Sequence, residues 1–226
     1  MSKVFVSWSG GKESSLACYR ARKAGLEVCY LANMATEDRT RSRTHGLSAR
    51  ILKMQARAMG VPLVQRPATW QSYEAEFKKM VGELKQRGIE GGVFGDIDLE
   101  EHREWVERVC REAGITAHQP LWGESQDEIL RDFISSGFRA VVIAIRADRL
   151  GEEWLGRSID MDFYAGIKEL GRTQNITPCG EAGEYHTLVV DGPLFQKRLE
   201  ITEARKVFRD QHWFLEITGA ELRAKR

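Results

Sequence analysis

The amino-acid sequence predicts an α/β protein with a parallel sheet, followed by a smaller α+β part. Short apolar runs alternate with segments of helical length as far as residue 145, and glycines follow several of the helical segments. Strands that alternate with helices imply a parallel sheet with crossovers on both faces. After Asp148 the alternation stops, and strands follow one another with a glycine-rich stretch before them.

The first half of the chain contains the clearest alternation. Its first strand, residues 4–8, is an apolar run that ends at Ser-Gly-Gly, as is typical of a buried parallel strand. The remaining strands are predicted at residues 27–34, 63–65, 92–94 and 115–118. Helices are predicted at residues 14–24, 47–59, 73–87 and 99–113, each with a glycine directly after it.

The second half begins with a predicted helix at residues 125–136, capped by Ser125, and a strand at 140–145 that continues the alternation. We predict a further helix at 164–170 and a loop at 172–185, which is rich in Gly, Pro, Asn and Thr. Strands follow at 187–190, 198–202 and 213–218, and Asp191-Gly192 is a turn signal between the first two. We therefore expect two domains, residues 1–120 and 121–226.

Composition excludes several classes of protein. A net charge of +1 lacks the electrostatic footprint of a DNA-binding protein. The four cysteines contain no C-x-x-C pair, which favours reduced, buried thiols and a cytosolic compartment. The amino-terminal apolar run is too short for a signal peptide or a membrane span, so we expect a cytoplasmic protein without membrane contact.

The sharpest motif is Ser-Gly-Gly-Lys-Glu-Ser-Ser at residues 9–15, directly between the first strand and the first helix. Backbone N–H groups and a helix amino terminus at this position bind anions. The glycines allow close backbone approach, the lysine adds a charge, and the serines can donate hydroxyls. The motif is neither a Walker A loop nor G-x-G-x-x-G. A glycine-rich turn without ligand is the ordinary alternative, which the position after the first strand disfavours. The residues assigned to the phosphates are Ser9, Gly10, Gly11, Lys12, Ser14 and Ser15.

Further segments narrow the interpretation. They are THG at residues 44–46, QARAMGVPL at 55–63, VFGDI at 93–97, PLW at 120–122, CGEAGEYHT at 179–187 and DGPLF at 191–195. In this order they resemble the diphthine–ammonia ligase family over about residues 3–202. The loop at 9–15 is similar to the Ser-Gly-Gly-x-Asp-Ser loop of the PP-loop ATP pyrophosphatase superfamily, with Glu13 in place of Asp.

The resemblance implies a Rossmann-like sheet of the PP-loop (HUP-type) kind in an ATP-binding domain, and a carboxyl-terminal substrate-binding domain. It implies ATP and Mg²⁺ as ligands, with AMP and pyrophosphate as products. The family reaction uses ammonia to amidate diphthine, a modified histidine of translation elongation factor two. A carboxylate is a poor acyl donor, so its adenylation by ATP would precede attack by ammonia. The sequence leaves a homodimer open.

Four catalytic candidates follow from this interpretation: Lys12, Asp96, Glu181 and Glu184. Asp96 follows Gly95 at the end of the fourth predicted strand, where it could hold Mg²⁺ or substrate, whereas capping the next helix is the ordinary alternative. Glu181 and Glu184 flank Gly183 and could bind a cationic substrate, orient ammonia or take its proton. A solvated acidic loop is the alternative for that pair.

The nucleotide base and the substrate have their own candidates. The backbone of Ala32, Asn33 and Met34, at the end of the second strand, should face adenine. His45 matches a family position near the nucleotide, although a surface or capping role is the alternative. Diphthine carries a quaternary ammonium, which aromatic faces recognise. The aromatic candidates are Trp122, Tyr185, Trp154 and Tyr164, of which we favour the first two.

Three other functions remain open from the sequence. A PP-loop RNA-modifying enzyme would share the loop, but near-neutral charge and the lack of paired cysteines disfavour it. A non-catalytic ATP sensor leaves the acidic loop unexplained. The same amidoligase chemistry could instead use a small-molecule carboxylate.

Overall fold

The computed structural model describes residues 1–43 and 46–225, which form two compact units, Met1–Gly123 and Glu124–Arg226. No helix in these described ranges combines the length and hydropathy that crossing a bilayer would need. The two units are built differently, and each is described by itself.

The first unit is a five-stranded parallel sheet with helices between its strands, which confirms the predicted α/β class. The strands are β1 Lys3–Ser7, β2 Glu27–Ala35, β3 Leu63–Pro67, β4 Gly91–Val93 and β5 Thr116–His118. The helices are α1 Lys12–Lys23, α2 Ala49–Met59, α3 Tyr73–Gln86 and α4 Glu100–Ala113. The strand order is β3-β2-β1-β4-β5, so the chain changes direction across the sheet between β1 and β4.

The middle of this sheet is apolar because both of its faces are covered. Val4, Phe5 and Val6 of β1 are fully buried, as expected of a central parallel strand. The Phe5 ring packs edge-on against Phe77 of α3, with the ring centroids 6.2 Å apart. Gly60 and Gly114 end α2 and α4 in the left-handed conformation, as predicted. The order reversal places the loops after β1 and β4 side by side, where open α/β sheets bind ligands.

A charged network joins α3 to α4 on the surface of the first unit. Arg108 donates to both carboxylate oxygens of Glu74, at 2.8 and 2.6 Å. Lys78 and the Trp105 indole also donate to Glu74, at 2.6 and 2.9 Å. These hydrogen bonds, led by those from Arg108 and Lys78, hold the pKa of Glu74 well below its usual range. The ionised carboxylate is therefore more stable in the folded protein than in the unfolded chain.

We expect Glu74→Gln to lower the melting temperature at pH 7. A depressed folded-state pKa contributes stability above the unfolded-state pKa of about 4.3, and this contribution is lost as the pH falls through the folded-state pKa. The difference in melting temperature between Glu74→Gln and the wild-type protein should therefore become smaller at acidic pH. Thermal denaturation at pH 7 and pH 3 measures it. Glu169→Gln is the matched control, because its exposed pair with Arg172 at 3.4 Å should contribute little. Equal losses at both pH values would contradict the linkage.

The described residues of the second unit form two α-helices, a short 3-10 helix at Glu152–Trp154 and a four-stranded antiparallel sheet. The α-helices are α5 Gln126–Ser135 and α6 Met161–Gln174. The strands are β6 Arg139–Arg146, β7 Tyr185–Asp191, β8 Lys197–Arg209 and β9 His212–Ala224, in the order β7-β6-β9-β8. Ser125 caps α5 as predicted, its hydroxyl accepting a hydrogen bond from the Glu128 amide. This antiparallel sheet with helices matches the predicted α+β class.

Three sequence predictions for this unit need correction. The strand predicted at 140–145 does not extend the parallel sheet, since β6 pairs antiparallel with β7 and β9. Asp191-Gly192 connects β7 to β8, but these two strands are not neighbours in the sheet, so this connection is not a hairpin turn. The hairpin is instead formed by β8 and β9, which turn at Asp210 and Gln211 with φ of 49° and 59°. Helix α6 runs past residue 172, where a loop was predicted, because Asp160 caps its start and Asn175 ends it.

Candidate functional site

The loop between β1 and α1 is held by its own serines. The Ser9 hydroxyl accepts from the Gly11 amide at 3.3 Å and donates to the Ser14 hydroxyl at 3.1 Å. Ser14 in turn donates to the Gly11 carbonyl at 3.1 Å. Gly11 is the N-cap of α1 and has no side chain, so no capping group covers the helix amino terminus. The loop therefore presents the amino terminus of α1, with its backbone N–H groups, at the carboxyl end of β1.

The buried side chain of Gln55 supports this loop through hydrogen bonds. The Gln55 amide donates to the Gly10 carbonyl at 3.0 Å and accepts from the Trp8 indole at 3.0 Å. Gly10 has φ of +85°, and a Cβ there would lie 2.7 Å from Gln55 Oε1 and 2.8 Å from a Leu52 methyl. Only glycine fits this position, for reasons of conformation and of space.

Gln55 and Trp8 contribute to this site, although neither is among the site residues that the sequence predicts. Gln55 is fully buried on α2, between the apolar residues Leu52 and Met59 of its inward face. A polar side chain within a buried apolar stripe needs a partner, since an unpaired buried amide is costly. That pattern was the available signal, but the partner, 45 residues earlier in the chain, was not visible in it.

The charged and hydroxyl groups of the first turn of α1 fit an anion. Lys12 is 2% exposed, with its ammonium 2.5 Å from a Glu13 carboxylate oxygen. Glu13, the residue that departs from the PP-loop pattern, thus contacts the lysine. The Ser15 hydroxyl is fully buried and has no hydrogen-bond partner among the described residues. A buried hydroxyl left unpaired at a helix amino terminus can donate to a phosphate oxygen.

The loop after β4 comes against the start of α1. A Cβ on Gly95 would lie 2.9 Å from the Glu13 carbonyl carbon and 3.0 Å from the Ser14 amide nitrogen. Gly95 therefore permits a backbone approach that no other residue allows. The adjacent Asp96 is part-exposed, and one of its carboxylate oxygens lies 3.3 Å from His102 Nδ1. The N-cap position of α4 belongs to Leu99, not to Asp96.

Asp96 also acts on a neighbouring phenol. Burial, with the Asp96 carboxylate as the lesser cause, raises the pKa of Tyr73 to about 12. Tyr73 begins α3, so the amino ends of α1 and α3 and the loop after β4 lie at one edge of the sheet. No group of three or more His, Cys, Asp or Glu side chains among the described residues could hold a metal ion. Mg²⁺ commonly takes one or two carboxylates plus phosphate oxygens, and Asp96 fits that pattern.

Hydrogen bonds hold the carboxyl end of β2, the strand that is predicted to face adenine. Asn33 is buried, and its amide nitrogen donates to the Trp8 carbonyl at 2.9 Å and the Ser42 hydroxyl at 3.0 Å. The Ala32 carbonyl accepts from the Trp8 amide, and the Met34 carbonyl accepts from the Arg43 amide, both at 2.8 Å. The buried Asn33 side chain thus links the carboxyl end of β2 to Trp8 and Ser42. His45, predicted near the nucleotide, lies outside the described residues.

In the second unit, Glu184 is enclosed by its own loop. It is fully buried, and its two carboxylate oxygens accept from the amide and hydroxyl of Thr177, at 2.7 and 3.0 Å. Tyr185 is also buried, with its hydroxyl donating to the Pro178 carbonyl at 2.5 Å. Both side chains therefore shape the loop from its interior. Glu181 is part-exposed, and Gly183 lines an open cleft.

The other predicted aromatic candidates are engaged in contacts within each unit. Trp122 is part-buried beneath the Arg103 guanidinium, which lies 5.2 Å from its ring centroid. Trp154 is buried and packs edge-on against Phe163 of α6. The Tyr164 hydroxyl donates to Asp127 at 2.7 Å. The first unit thus brings the loop at 9–15 together with Gly95, and the second brings Glu181 and Gly183 to one loop.

Comparison with known proteins gives matches along most of the chain. A family model described as diphthamide synthase N-terminal domain matches residues 2–117, and one described as diphthamide synthase C-terminal domain matches residues 125–222. A Rattus norvegicus protein named diphthine–ammonia ligase is 28% identical over 255 residues, covering 99% of this chain and 93% of its own length. The Homo sapiens protein of that name is 28% identical, covering 95% and 88%.

A solved structure is also similar in part. It is a predicted subunit of tRNA methyltransferase from Methanocaldococcus jannaschii, with 17% identity and a TM-score of 0.46 over 85% of this chain and 98% of that one. At this identity and TM-score the likeness says nothing about substrate.

Proposed function

The chain belongs to the diphthine–ammonia ligase family, whose amino- and carboxyl-terminal diphthamide synthase domains it contains, and from this premise we propose that it amidates the carboxylate of diphthine on translation elongation factor two. The family assignment agrees with the resemblance carried by the sequence motifs. It makes the protein an ATP-dependent ligase of diphthamide synthesis that forms AMP and diphosphate. The adenylated intermediate and the protein acceptor are the parts that we propose.

The anion cradle at the start of α1 carries the proposal. It combines the left-handed Gly10, the buried Lys12 and the buried Ser15 hydroxyl that has no partner in the described residues. Together with the helix amino terminus, these groups favour a multiply charged anion. We assign the triphosphate of ATP to this cradle, with Ser9, Gly11 and Ser14 shaping it.

The first step is attack of the diphthine carboxylate on the α-phosphate of ATP. The bond from the α-phosphorus to the bridging oxygen breaks, and pyrophosphate leaves with that electron pair. Lys12 and the α1 amino terminus stabilise the charge that grows on pyrophosphate. A Mg²⁺ ion bound with Asp96 would neutralise part of the phosphate charge. The product of this step is an acyl-adenylate.

In the second step ammonia attacks the acyl carbon and AMP leaves. We assign Glu181 to binding or deprotonating the incoming nitrogen nucleophile, because it is the part-exposed carboxylate of the acidic loop. Glu184 would position that loop through its two hydrogen bonds to Thr177. The backbone of Ala32, Asn33 and Met34, together with His45, remains the candidate for the adenosine side.

The decisive experiment incubates the protein with ATP, Mg²⁺, ammonium and diphthine-bearing elongation factor two. We expect AMP and pyrophosphate in equal amounts, together with amidated acceptor by mass spectrometry. Formation of ADP and phosphate would exclude attack at the α-phosphate. Activity that requires RNA instead would favour an RNA-modifying enzyme, and turnover with a small carboxylate alone would move the acceptor to a metabolite.

Lys12→Met and Lys23→Met make a matched pair for this assay. Both lysines are on α1, but Lys12 is buried at its start and Lys23 is exposed at its end. Loss of one transition-state charge contact costs about 100-fold or more. We expect that loss in AMP formation for Lys12→Met only. Equal activity in the two variants would remove the cradle from the mechanism.

A further inference from the structure

An open cleft of about 530 Å³ lies within the second unit. One wall is the glycine-rich loop at Ala182 and Gly183, and another is the tip of the β8–β9 hairpin. Arg146 and Asp148 line it where β6 ends. Of the predicted site residues, Gly183 lines this cleft.

Strand register decides on which face of the antiparallel sheet the cleft lies. Ala144 of β6 pairs with His186 on one side and with Phe214 on the other. Residues directly opposite each other in antiparallel strands share one face of the sheet, so a methyl group sits between two larger rings. The next residue, Ile145, pairs with Tyr185, whose ring packs at 5.3 Å against Phe163 of α6. The cleft therefore opens on the face opposite α6.

An ion pair stands at the edge of the cleft. Arg146 donates from Nε and Nη2 to the two carboxylate oxygens of Asp148, at 3.1 and 2.8 Å. The two side chains are 35% and 50% exposed, so solvent weakens the pair and its contribution to stability is small. Arg146 also contacts the acidic loop, because its backbone amide donates to the Glu184 carbonyl at 3.0 Å and its Nη1 donates to the Ala182 carbonyl at 3.4 Å. The pair is thus attached to the loop that the proposed reaction uses.

The remaining lining side chains are the Asp210 carboxylate, the Gln211 amide and the imidazoles of His186 and His212. His212 stacks obliquely on Phe214, with ring centroids 5.9 Å apart, and its Nδ1 lies 2.7 Å from the Asp210 carbonyl. The charged side chains among the described residues that line the cleft are the Arg146 guanidinium and the carboxylates of Asp148 and Asp210. Such a lining suits a ligand that has both a carboxylate and a permanent cation. The guanidinium can bind the carboxylate through two hydrogen bonds, while carboxylates and ring faces attract a quaternary ammonium.

We propose that this cleft receives the zwitterionic head of the acceptor side chain, and that Arg146 and Asp148 exchange their mutual contact for its two charges. The inference rests on the proposed function, because diphthine carries a quaternary ammonium beside the carboxylate that is amidated. Arg146 then binds that carboxylate through two hydrogen bonds. The amide product is uncharged at this position and no longer matches the guanidinium, so it leaves more easily.

The test is steady-state kinetics with diphthine-bearing elongation factor two as the varied substrate. We expect Arg146→Gln and Asp148→Asn each to raise the KM for the acceptor at least about tenfold, the effect of losing one charge-assisted contact. The KM for ATP should stay unchanged. Arg172→Gln, which removes an exposed cation on α6 outside the cleft, is the control and should behave as the wild-type protein.

Asp148→Asn keeps the proposal testable if Arg146→Gln fails to fold, because it leaves the hydrogen bond from the Arg146 side chain to the Ala182 carbonyl in place. An acceptor KM that is unchanged in folded Asp148→Asn, while the wild-type protein is active, overturns the cleft assignment alone. A wild-type protein that forms no AMP with this acceptor overturns the proposed function and the cleft assignment together. A rise in the KM for ATP instead would show that the pair acts on the nucleotide, and it would also reject the assignment.

Discussion

Gly10→Ala is expected to reduce AMP formation by at least about 100-fold, the scale of loss that follows a displacement of about 1 Å in a positioned site. The added Cβ would lie within 2.8 Å of Gln55 Oε1 and a Leu52 methyl, and 3.0 Å from a Leu47 methyl. Gln55 cannot withdraw without releasing the Gly10 carbonyl and the Trp8 indole. The loop at residues 9–15 must therefore move away from the position that we assign to the triphosphate.

Gly25→Ala provides the control for backbone strain. Gly25 has φ of +84°, nearly the same as the +85° of Gly10, but no atom lies within 4 Å of an added Cβ. Both variants carry the strain of a left-handed alanine, about 1–2 kcal/mol. Only Gly10→Ala adds the collision. Measuring melting temperature and AMP formation for the two variants separates the causes, and equal losses of activity would mean that strain alone is responsible.

Gly95→Ala is the second change with a large expected effect. Its Cβ would meet backbone atoms of Glu13 and Ser14 at 2.9 to 3.1 Å, and a backbone cannot rotate away as a side chain can. The loop after β4 must then separate from the start of α1. Because Asp96 is the next residue, its carboxylate would move relative to the loop at residues 9–15. We expect AMP formation to fall about 100-fold, with the KM for ATP raised.

Gly82→Ala is the matched control for this change. Gly82 lies within α3, and nothing is within 4 Å of its added Cβ. Alanine in a helix interior is favoured over glycine by about 1 kcal/mol, so this variant should be as stable as the wild-type protein or more so. Its activity should be unchanged. Full activity in Gly95→Ala would show that the contact between the two loops is not needed for catalysis.

Local sequence signals predicted the first unit well. The apolar run before Ser-Gly-Gly and the glycine stops lie within a few residues of the elements they define, and the observed bounds of β1 to α4 fall close to the predicted ones. The second unit was predicted less well. Its strands were recognised, but their pairing was not, because β6 pairs with residues some 40 and 70 positions away.

The sequence by itself determined the class of the fold and the family, since each is carried by contiguous residues, and it predicted the loop at 9–15 that we assign to the phosphates. Only the tertiary structure decided that Gln55 supports Gly10, that Gly95 touches the start of α1, and that Glu184 faces inward toward Thr177. These contacts depend on how closely segments approach one another and on which polar atoms remain unpaired after they do. Periodicity and motif spacing report the chemistry of a residue, but not the distance to a partner on another element.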